Sequence, residues 1–402
     1  MATAAAFDRT IERGVSAHVP VRLSRVAILD RFEDAETPWR ELESPAHLST
    51  AFQAYDFVAP WHRHVGTPLR AKPLVAIAYD RSEQAVALLP LVLNRSRGGT
   101  IASFPGGKHA TFNMPLWRRD FAERASAEVI TELMRLIAEA APVIDAFAFT
   151  RQPAHWDGVP NPMLLLPHQA AVNECPMLHL EPGAPPTDRI SHSFRRRLKR
   201  KERKLQSNSG FRYTIAQTPS EAQRLLDVFF ATKPQRLAAQ GLPNVFAEAG
   251  TETFVRETAA IGFGSDHPLM EIHALECDDE VMAMFAGVAG QNRLSVMFNT
   301  YTMSANAKYS PGLILIRNII DHCAAKGRKT LDLGVGADAY KLLFCKERKP
   351  LFDSFLPATA RGRLMTFWLS AESRVKRSIK RSASAMTAIN RLRRATLTDA
   401  SK

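Results

Sequence analysis

Residues 299–318, NTYTMSANAKYSPGLILIRN, contain the pattern that decides the fold. Alternating residues end near Tyr301, a polar loop follows, and the last part is apolar enough for a buried helix. Ser310 and Pro311 stand where an N-cap residue and a first-turn proline are preferred. We therefore predict a strand that ends near Tyr301 and a helix that begins at Pro311.

The start of this predicted helix is suited to an anion. The N–H groups of Gly312, Leu313 and Ile314 lie in the first turn, and we expect them to have no partner within the helix. Gly312 allows close approach of a ligand, and Lys308 adds positive charge. A well-capped buried helix that binds nothing explains the same pattern, so the helix alone leaves both readings open.

The segments on either side complete a mixed sheet. The stretches MEIHALECD, EVMAMFAGVAG and LSVMFNTY are separated by short polar turns and predict an antiparallel meander. Upstream, Thr218, Pro219 and Glu221 form a capping-box helix start, and downstream TLDLGVG predicts a further strand. The first half also contains a strand pair, a helix and a strand, an order that permits a duplicated fold of the α/β class with α+β-type mixed sheets.

The glycines of residues 330–341, TLDLGVGADAYK, resemble a nucleotide-cofactor loop. A dinucleotide fold places that loop after an early strand and needs several βα units behind it. Here the chain is nearly finished and the third glycine is missing. We therefore interpret Gly334 and Gly336 as the tight turn at the end of a strand.

Length and composition indicate a globular chain of more than one domain. It has 402 residues, of which 46% are hydrophobic, and no run approaches the roughly 20 apolar residues that cross a bilayer. Four widely spaced cysteines and the lack of a signal sequence favour the reducing cytoplasm. The Pro/Gly-rich segment 181–188 predicts a boundary. We expect a lead-in (1–40), a first domain (41–186), a second domain (187–358) and a basic helical tail (359–402).

Two segments concentrate the net charge of +13. Residues 195–204, RRRLKRKERK, combine eight Lys/Arg with one Glu, either as a solvated face or as a docking strip for an anionic acceptor. Interleaved aromatic residues are missing there, so nucleic-acid binding is not expected. In the tail, Phe367 and Trp368 precede apolar residues at four-residue spacing, which suits either an anionic membrane surface or a cover on the catalytic domain.

Five motifs in order carry a resemblance to a known family. They are FQAYDFVAPW (52–61), ALLPLVLNR (87–95), SFRRRLKRKERKL (193–205), YSPGLILIRNII (309–320) and LDLGVGADAYKLLF (331–344). The second half resembles the acyl-CoA N-acyltransferase (GNAT) fold. The whole chain resembles the tandem acyltransferases of the CelD/BcsL (BioF2-like) family, which are related in architecture to the FemABX peptidyltransferases.

The resemblance implies two tandem GNAT-like acyl-CoA N-acyltransferase domains, with acetyl-CoA or another acyl-CoA as donor and no metal. It places the pyrophosphate of the donor at residues 309–312, although this loop departs from the common Q/R-x-x-G-x-G/A form, and FemABX relatives use aminoacyl-tRNA instead. The strand before it then holds the pantetheine. The implied donor-binding residues are Phe298, Asn299, Thr300, Tyr301, Lys308, Tyr309, Ser310, Gly312, Leu313 and Ile314.

Acyl transfer needs an acid for the leaving thiolate and a base for the acceptor. We predict Tyr340 as the acid, with its pKa lowered by Lys341, and we consider Glu271, His273 and Asp332 as bases; each is also explained as a structural polar residue. Alternation puts Glu271 and His273 on one face of their strand. The predicted acceptor-binding residues are Arg195, Arg196, Lys199 and Lys341.

The sequence thus predicts an acyl-CoA-dependent acyltransferase that acts on an amine or hydroxyl of a small-molecule or saccharide acceptor, in polysaccharide or cell-envelope biosynthesis. Two alternatives stay open. One is an aminoacyl-tRNA-dependent transferase. The other is a non-enzymatic basic adaptor for nucleic acid or a membrane surface.

Overall fold

A computed structural model describes residues 22–96, 98–181, 183–185, 189–263, 268–278, 280–336 and 338–382. The ends of the predicted lead-in and tail, residues 1–21 and 383–402, lie outside this range. The rest of the lead-in is not loose, because Leu23–Leu29 pairs with the next strand and Glu36–Leu42 is helical. Within the described ranges, no helix has both the length and the apolar character needed to span a membrane.

Nine α-helices and seventeen strands make up the described part of the chain. The helices are α1 Glu36–Leu42, α2 Tyr55–Trp61, α3 Arg119–Arg124, α4 Ala127–Ala140, α5 His192–Leu205, α6 Pro219–Ala239, α7 Thr251–Ala260, α8 Pro311–Ala325 and α9 Ala360–Arg381. The strands of the first half are β1 Leu23–Leu29, β2 Lys72–Asp80, β3 Ala85–Ser96, β4 Gly99–Ser103, β5 Leu116–Trp117, β6 Ala146–Pro153, β7 His155–Trp156, β8 Val159–Pro160, β9 Gln169–Ala170 and β10 Cys175–His179. Those of the second half are β11 Arg212–Ile215, β12 Met270–Cys277, β13 Glu280–Ala289, β14 Arg293–Tyr301, β15 Thr330–Asp332, β16 Glu347–Lys349 and β17 Leu351–Pro357.

Two mixed sheets repeat one architecture. In the first, the order is β1-β2-β3-β4-β6-β17-β9, and in the second it is β11-β12-β13-β14-β15-β10-β16. Each begins with an antiparallel meander and contains one parallel pair, β4 with β6 and β14 with β15. A helix, α4 or α8, connects the strands of each parallel pair. The predicted duplication is therefore present in the fold.

The two sheets exchange strands. β17, which we expected to complete the second unit, pairs with β6 of the first sheet. β10 precedes the predicted boundary at residue 186, yet it pairs with β15 of the second sheet. The helix of the predicted tail, α9, packs on β17 and β6 rather than on the second unit. Proline and glycine content indicates only the local conformation of the chain. The open edge of a sheet, by contrast, can pair with any strand whose backbone groups need hydrogen-bond partners. For this reason, composition alone misplaced these domain boundaries.

Helices cover both faces of the second sheet. Leu275, Phe285 and Val296 belong to the core on the side of α5 and α8, while Met284 and Phe298 belong to the core on the side of α6 and α7. Val296 and Phe298 face opposite sides although they are two residues apart, because the β13/β14 register shifts between them. Half of the capping box predicted for α6 is present, since Thr218 Oγ1 accepts from Glu221 N–H at 3.2 Å, while the Glu221 carboxylate accepts from Gln217 N–H at 2.7 Å instead of from the N–H of Thr218. Phe194, Leu198 and Leu205 form a buried apolar stripe on α5, and α5 rests on α8.

The gap between β14 and β15 positions the site. The two strands pair in parallel from Arg293 with Thr330 to Ser295 with Asp332, and there the pairing ends. Gly334 and Gly336 then adopt positive φ values of 77° and 98°, which glycine accepts without steric cost, and a Cβ atom at Gly334 would lie 3.0 Å from the Val296 carbonyl oxygen of β14. The remaining part of β14 and the first turn of α8 thus border an open space.

Candidate donor-binding site

A cavity of about 300 Å³ lies at the start of α8. We call it the α8 cavity. Three separate segments meet there, namely the end of β14, the first turn of α8 and the loop after β15. Its lining residues are Phe285, Asn299, Tyr301, Ala307, Ser310, Pro311, Gly312, Leu313, Ile316 and Tyr340.

Six predicted residues line the α8 cavity, and they are Asn299, Tyr301, Ser310, Gly312, Leu313 and Tyr340. The other predicted donor contacts do not line it. The side chain of Phe298 packs on the opposite face of the sheet against Phe229, at 4.5 Å between ring centroids. Thr300 also faces α6, and Ile314 is fully buried in the core. Lys308 and Tyr309 are neighbours of the lining rather than part of it, with the Lys308 ammonium 5.1 Å from the Tyr309 ring.

The first turn of α8 differs from the prediction. Ser310 has a left-handed backbone, with φ 59° and ψ 54°, and its side chain caps no backbone N–H group. Its carbonyl oxygen instead accepts from Leu313 N–H at 3.0 Å and from Ile314 N–H at 3.2 Å. Of the three predicted amides, only that of Gly312 has no hydrogen-bond partner among the described residues. The expectation of three free amides was therefore wrong for two of them.

Lysine and arginine side chains place positive charge around the α8 cavity, where two of the three predicted backbone amides are already hydrogen-bonded. Lys201 of α5 donates from Nζ to Ser310 Oγ at 2.7 Å. Lys233 of α6 donates to the carbonyl oxygen of Asn299 at 2.8 Å, and the Arg236 guanidinium lies over the ring of Tyr301. None of these three cations forms an ion pair with any residue that the structure describes.

Burial makes two of these cations unusual. Arg236 is only 8% exposed, and its Nη1 has no hydrogen-bond partner within the described ranges. Burial, reinforced by Arg236, lowers the pKa of Lys233 to about 8. Sequence reasoning missed both residues because they lie in α6, far from the glycine and proline motifs. The one local signal is Pro234 inside the helix, between two cations that the apolar pattern does not explain.

Tyr340 extends toward the cavity from the loop after β15. Its hydroxyl oxygen accepts from Asn299 Nδ2 at 3.4 Å. Burial raises the pKa of Tyr340, so the hydroxyl stays protonated. The predicted lowering by Lys341 is wrong, because Lys341 is buried and donates instead to the carbonyl oxygens of Gly334 and Val335 at 3.2 and 2.9 Å. Lys341 thereby holds the glycine turn together.

Asp332 ends β15 at the point where the gap begins. Ser295 Oγ donates to its carboxylate at 2.6 Å, Gly334 N–H donates at 3.2 Å, and Arg293 Nη1 lies 3.8 Å away. Burial raises the pKa of Asp332 against these opposing contacts. The carboxylate is fully buried and does not line the α8 cavity.

Glu271 and His273 share a face of β12, as predicted, but this face does not line the cavity. It meets the C-terminal half of α8 and the turn that follows this helix, from which Arg328 donates to both carboxylate oxygens of Glu271 at 2.6 and 2.7 Å. Burial raises the pKa of Glu271, yet the bonds from Arg328 and His273 outweigh it and hold that pKa well below its usual range. We correct the predicted placement accordingly, since neighbouring helices decide what a strand face meets.

Glu271, His273 and His322 have the mutual spacing of metal ligands, with donor atoms within 4.8 Å of one another. Burial lowers the pKa of His273, which makes its ring neutral. One ring nitrogen of His273 then donates to Glu271 at 3.2 Å and the other accepts from Tyr213 at 2.8 Å. With Arg328 on both carboxylate oxygens, Glu271 and His273 form a paired network, whereas His322 Nε2 lies 3.5 Å from the Glu271 carboxylate and makes no hydrogen bond within the described residues.

The predicted acceptor strip on α5 divides into two groups. Arg195 is bound to Asp321 of α8 through both guanidinium Nη atoms, at 3.0 and 2.5 Å, and so fastens α5 to the body of the domain. Arg196 and Lys199 line an open basic groove of about 470 Å³. The remaining lining residues of this groove are Ser193, Arg197, Arg200 and Arg203.

The first domain reaches the same gap from the other side. Thr111 Oγ1 lies 4.0 Å from the position that a Cβ atom would have at Gly334. Trp156 lies under the guanidinium of Arg293, at 4.2 Å from its ring centroid. Thr111 of the first domain therefore flanks the β14/β15 gap, while Trp156 contacts the paired start of β14.

The acetyltransferase (GNAT) domain family matches residues 192–342. FemX aligns with 8% identity over 81% of this chain and 96% of its own, with a TM-score of 0.54. A conserved protein of unknown function from Bacteroides thetaiotaomicron VPI-5482 aligns with 11% identity over 82% of this chain and 99% of its own, with a TM-score of 0.52. No curated protein matches the sequence significantly.

These matches agree with the repeated sheet architecture. The chain has a mixed α/β fold of two GNAT-like domains, and the family match supports a transferase of the GNAT class. The narrower assignment to the CelD/BcsL family stays a prediction.

Proposed function

We propose that this chain is an acyl-CoA-dependent acyltransferase that moves an acetyl or longer acyl group to an amine or hydroxyl of a small-molecule or saccharide acceptor. One observation carries the proposal. Lys201, Lys233 and Arg236 contact residues that line a single cavity, and none has an anionic partner in the described part of the chain. Arg236 is buried, and Lys201 and Lys233 are partly buried. Unpaired cations that are withdrawn from water are costly, and a bound polyanion compensates that cost.

The lining matches the two parts of an acyl-CoA. Lys201, Ser310 and the free Gly312 amide are suited to the diphosphate, as at other helix N-termini. Phe285, Leu313 and Ile316 provide an apolar wall for the pantetheine. We propose that the acyl group then enters the gap between β14 and β15.

Tyr340 is the proposed acid. Its buried, protonated hydroxyl can protonate the thiolate as coenzyme A leaves, and Asn299 orients it. Among the described residues that line the α8 cavity, none is a carboxylate or a histidine. Among the three candidate bases, Asp332 is the one at the gap, so we keep it for this role, with Glu271 and His273 in structural ones.

The acceptor is proposed to come from the side of the first domain, with Arg196 and Lys199 available to anionic groups. A saccharide or cell-envelope precursor fits this description. An acyl-CoA donor would place the reaction in the cytoplasm.

One observation favours a second candidate donor. Arg196, Lys199, Arg200 and Arg203 recur at helical spacing on α5 and form no ion pairs with described residues. A stripe of cations on the solvent-facing side of α5 suits the phosphate backbone of a tRNA acceptor stem. An aminoacyl-tRNA-dependent transferase is therefore the alternative.

Calorimetric titration of the full chain separates these proposals. We expect heat with acetyl-CoA or a longer acyl-CoA, and a loss of affinity of about tenfold or more in Gly312→Leu, which fills the cavity. Ala325→Leu adds the same side chain at the exposed end of α8 and serves as the matched control. Heat with tRNA and none with any coenzyme A ester would select the alternative donor. Salt-sensitive nucleic-acid binding with no acyl transfer from either donor would select the non-enzymatic adaptor.

A further inference from the structure

The C-terminal helix α9 has an apolar stripe that faces away from the protein. Its buried side, which includes Met365, Thr366 and Ser373, packs on the first sheet. On the opposite side, Leu364, Phe367 and Trp368 are each 64% exposed, and Val375 is 58% exposed. Together with Ala371, which lies between Trp368 and Val375 in sequence, these residues are spaced three or four positions apart and therefore lie on one face of the helix. We call this face the α9 stripe.

Exposure of this size is unusual for a tryptophan. The other four tryptophans of the chain, Trp39, Trp61, Trp117 and Trp156, are at most 6% exposed. Phe367 and Trp368 also contact each other edge to face, with their ring centroids 5.8 Å apart. A contiguous exposed aromatic patch on a folded protein marks an interaction surface.

Charge identifies the kind of partner. α9 contains seven Lys/Arg and one Glu. At about 3.6 residues per turn, Arg363 and Arg374 fall on one flank of the α9 stripe, and Arg361 falls on the other. The side chains of Arg361 and Arg363 form no ion pair with any residue in the described ranges. Cations that flank an aromatic stripe match a surface with anionic headgroups above an apolar layer.

We propose that the α9 stripe binds the surface of an anionic phospholipid bilayer. The helix would lie in the plane of the surface, with Phe367 and Trp368 at headgroup depth. The buried side of α9 keeps its contacts with the first sheet, so binding requires no unfolding. The proposal does not depend on the identity of the acyl donor.

Vesicle binding tests this surface on the full chain. We compare vesicles of phosphatidylcholine alone with vesicles that contain about one third phosphatidylglycerol. Co-sedimentation is expected with the anionic vesicles only. Phe367→Ser/Trp368→Ser should weaken that binding by about tenfold or more, because two aromatic side chains lose their apolar contact. Leu242→Ser removes an apolar side chain that is 43% exposed elsewhere, and it should bind like the parent.

Fluorescence gives an independent result. Since Trp368 is the exposed tryptophan, anionic vesicles should shift the emission to shorter wavelength and protect it from acrylamide. Trp368→Phe should keep vesicle binding within about twofold and lose this spectral response. Equal binding by the double serine variant, or no binding to anionic vesicles, would overturn the proposal. So would a concentration-dependent dimer in light scattering that the double variant abolishes, because a second copy would then cover the stripe.

Discussion

The charged residues around the two ends of α8 differ in whether they have ion-pair partners. At its N-terminal end, Lys201 and Arg236 surround a cavity without ion pairs to any described residue. At its C-terminal end, Arg328 and Glu271 form a buried bidentate pair that His273 extends. Both ends belong to the same domain and both bury polar groups. Paired charges hold the fold together, whereas unpaired cations at a cavity are available to a ligand.

The paired end should give the largest loss of stability when it is broken. Arg328→Met leaves the Glu271 carboxylate buried without its partner, which should cost about 3–5 kcal/mol in the free energy of unfolding. Urea denaturation measures this change. The double variant Glu271→Met/Arg328→Met should recover most of the loss, because no charge is then left uncompensated. A double variant as unstable as the single one would contradict the assignment of this pair as the reason.

At the unpaired end, removal of the proposed acid should act on catalysis alone. Tyr340→Phe should lower kcat about a hundredfold, because the thiolate loses its proton donor. The donor Kd should change little. Steady-state kinetics measures the change in kcat, and calorimetry measures the donor Kd separately. Tyr309→Phe removes a hydroxyl next to the cavity but not in its lining, so it is the matched control. An unchanged kcat would remove Tyr340 from the mechanism.

A smaller effect is expected from the Lys201 ammonium. Lys201→Gln should raise the donor Kd about tenfold, since it removes one charge-assisted contact at the start of α8. Lys204→Gln makes the same change on the exposed side of the same helix and should have no such effect. If both variants bound alike, the net charge of α5 rather than the position of Lys201 would explain the affinity.

The smallest effect is a dependence on pH. Burial lowers the pKa of Lys233 to about 8, so its ammonium loses charge as pH rises through that value. A bound anion favours the charged form, and the donor Kd should therefore rise about threefold between pH 7 and pH 9. Lys233→Arg keeps the charge over this interval and should flatten the profile. A parent profile that is already flat would exclude Lys233 from donor binding.

Local patterns predicted the parts of the site that depend on neighbours in sequence. The meander β12-β13-β14, the start of α8 and the turn at Gly334 follow from alternation, proline placement and glycine. Because β14, α8 and the loop after β15 are consecutive elements, Asn299, Gly312 and Tyr340 meet in the structure as expected.

Contacts between distant segments were not predictable in the same way. Lys233 lies 66 residues from the Asn299 carbonyl that it contacts, and no pattern near it signals that contact. Glu271 was correctly placed on one face with His273, but only helix packing put Arg328 against that face. The left-handed Ser310 likewise redirected its carbonyl to two amides that the helix pattern leaves free.

By itself, the sequence determined the order of strands and helices, the basic character of α5 and the position of the glycine turn, because these depend on interactions within a few residues. The tertiary structure decided which sheet received β10 and β17, which cations stayed unpaired at the α8 cavity and which face of α9 remained exposed. Pairing and burial depend on surfaces that become neighbours only after folding, and the periodicity of a single segment does not contain that information.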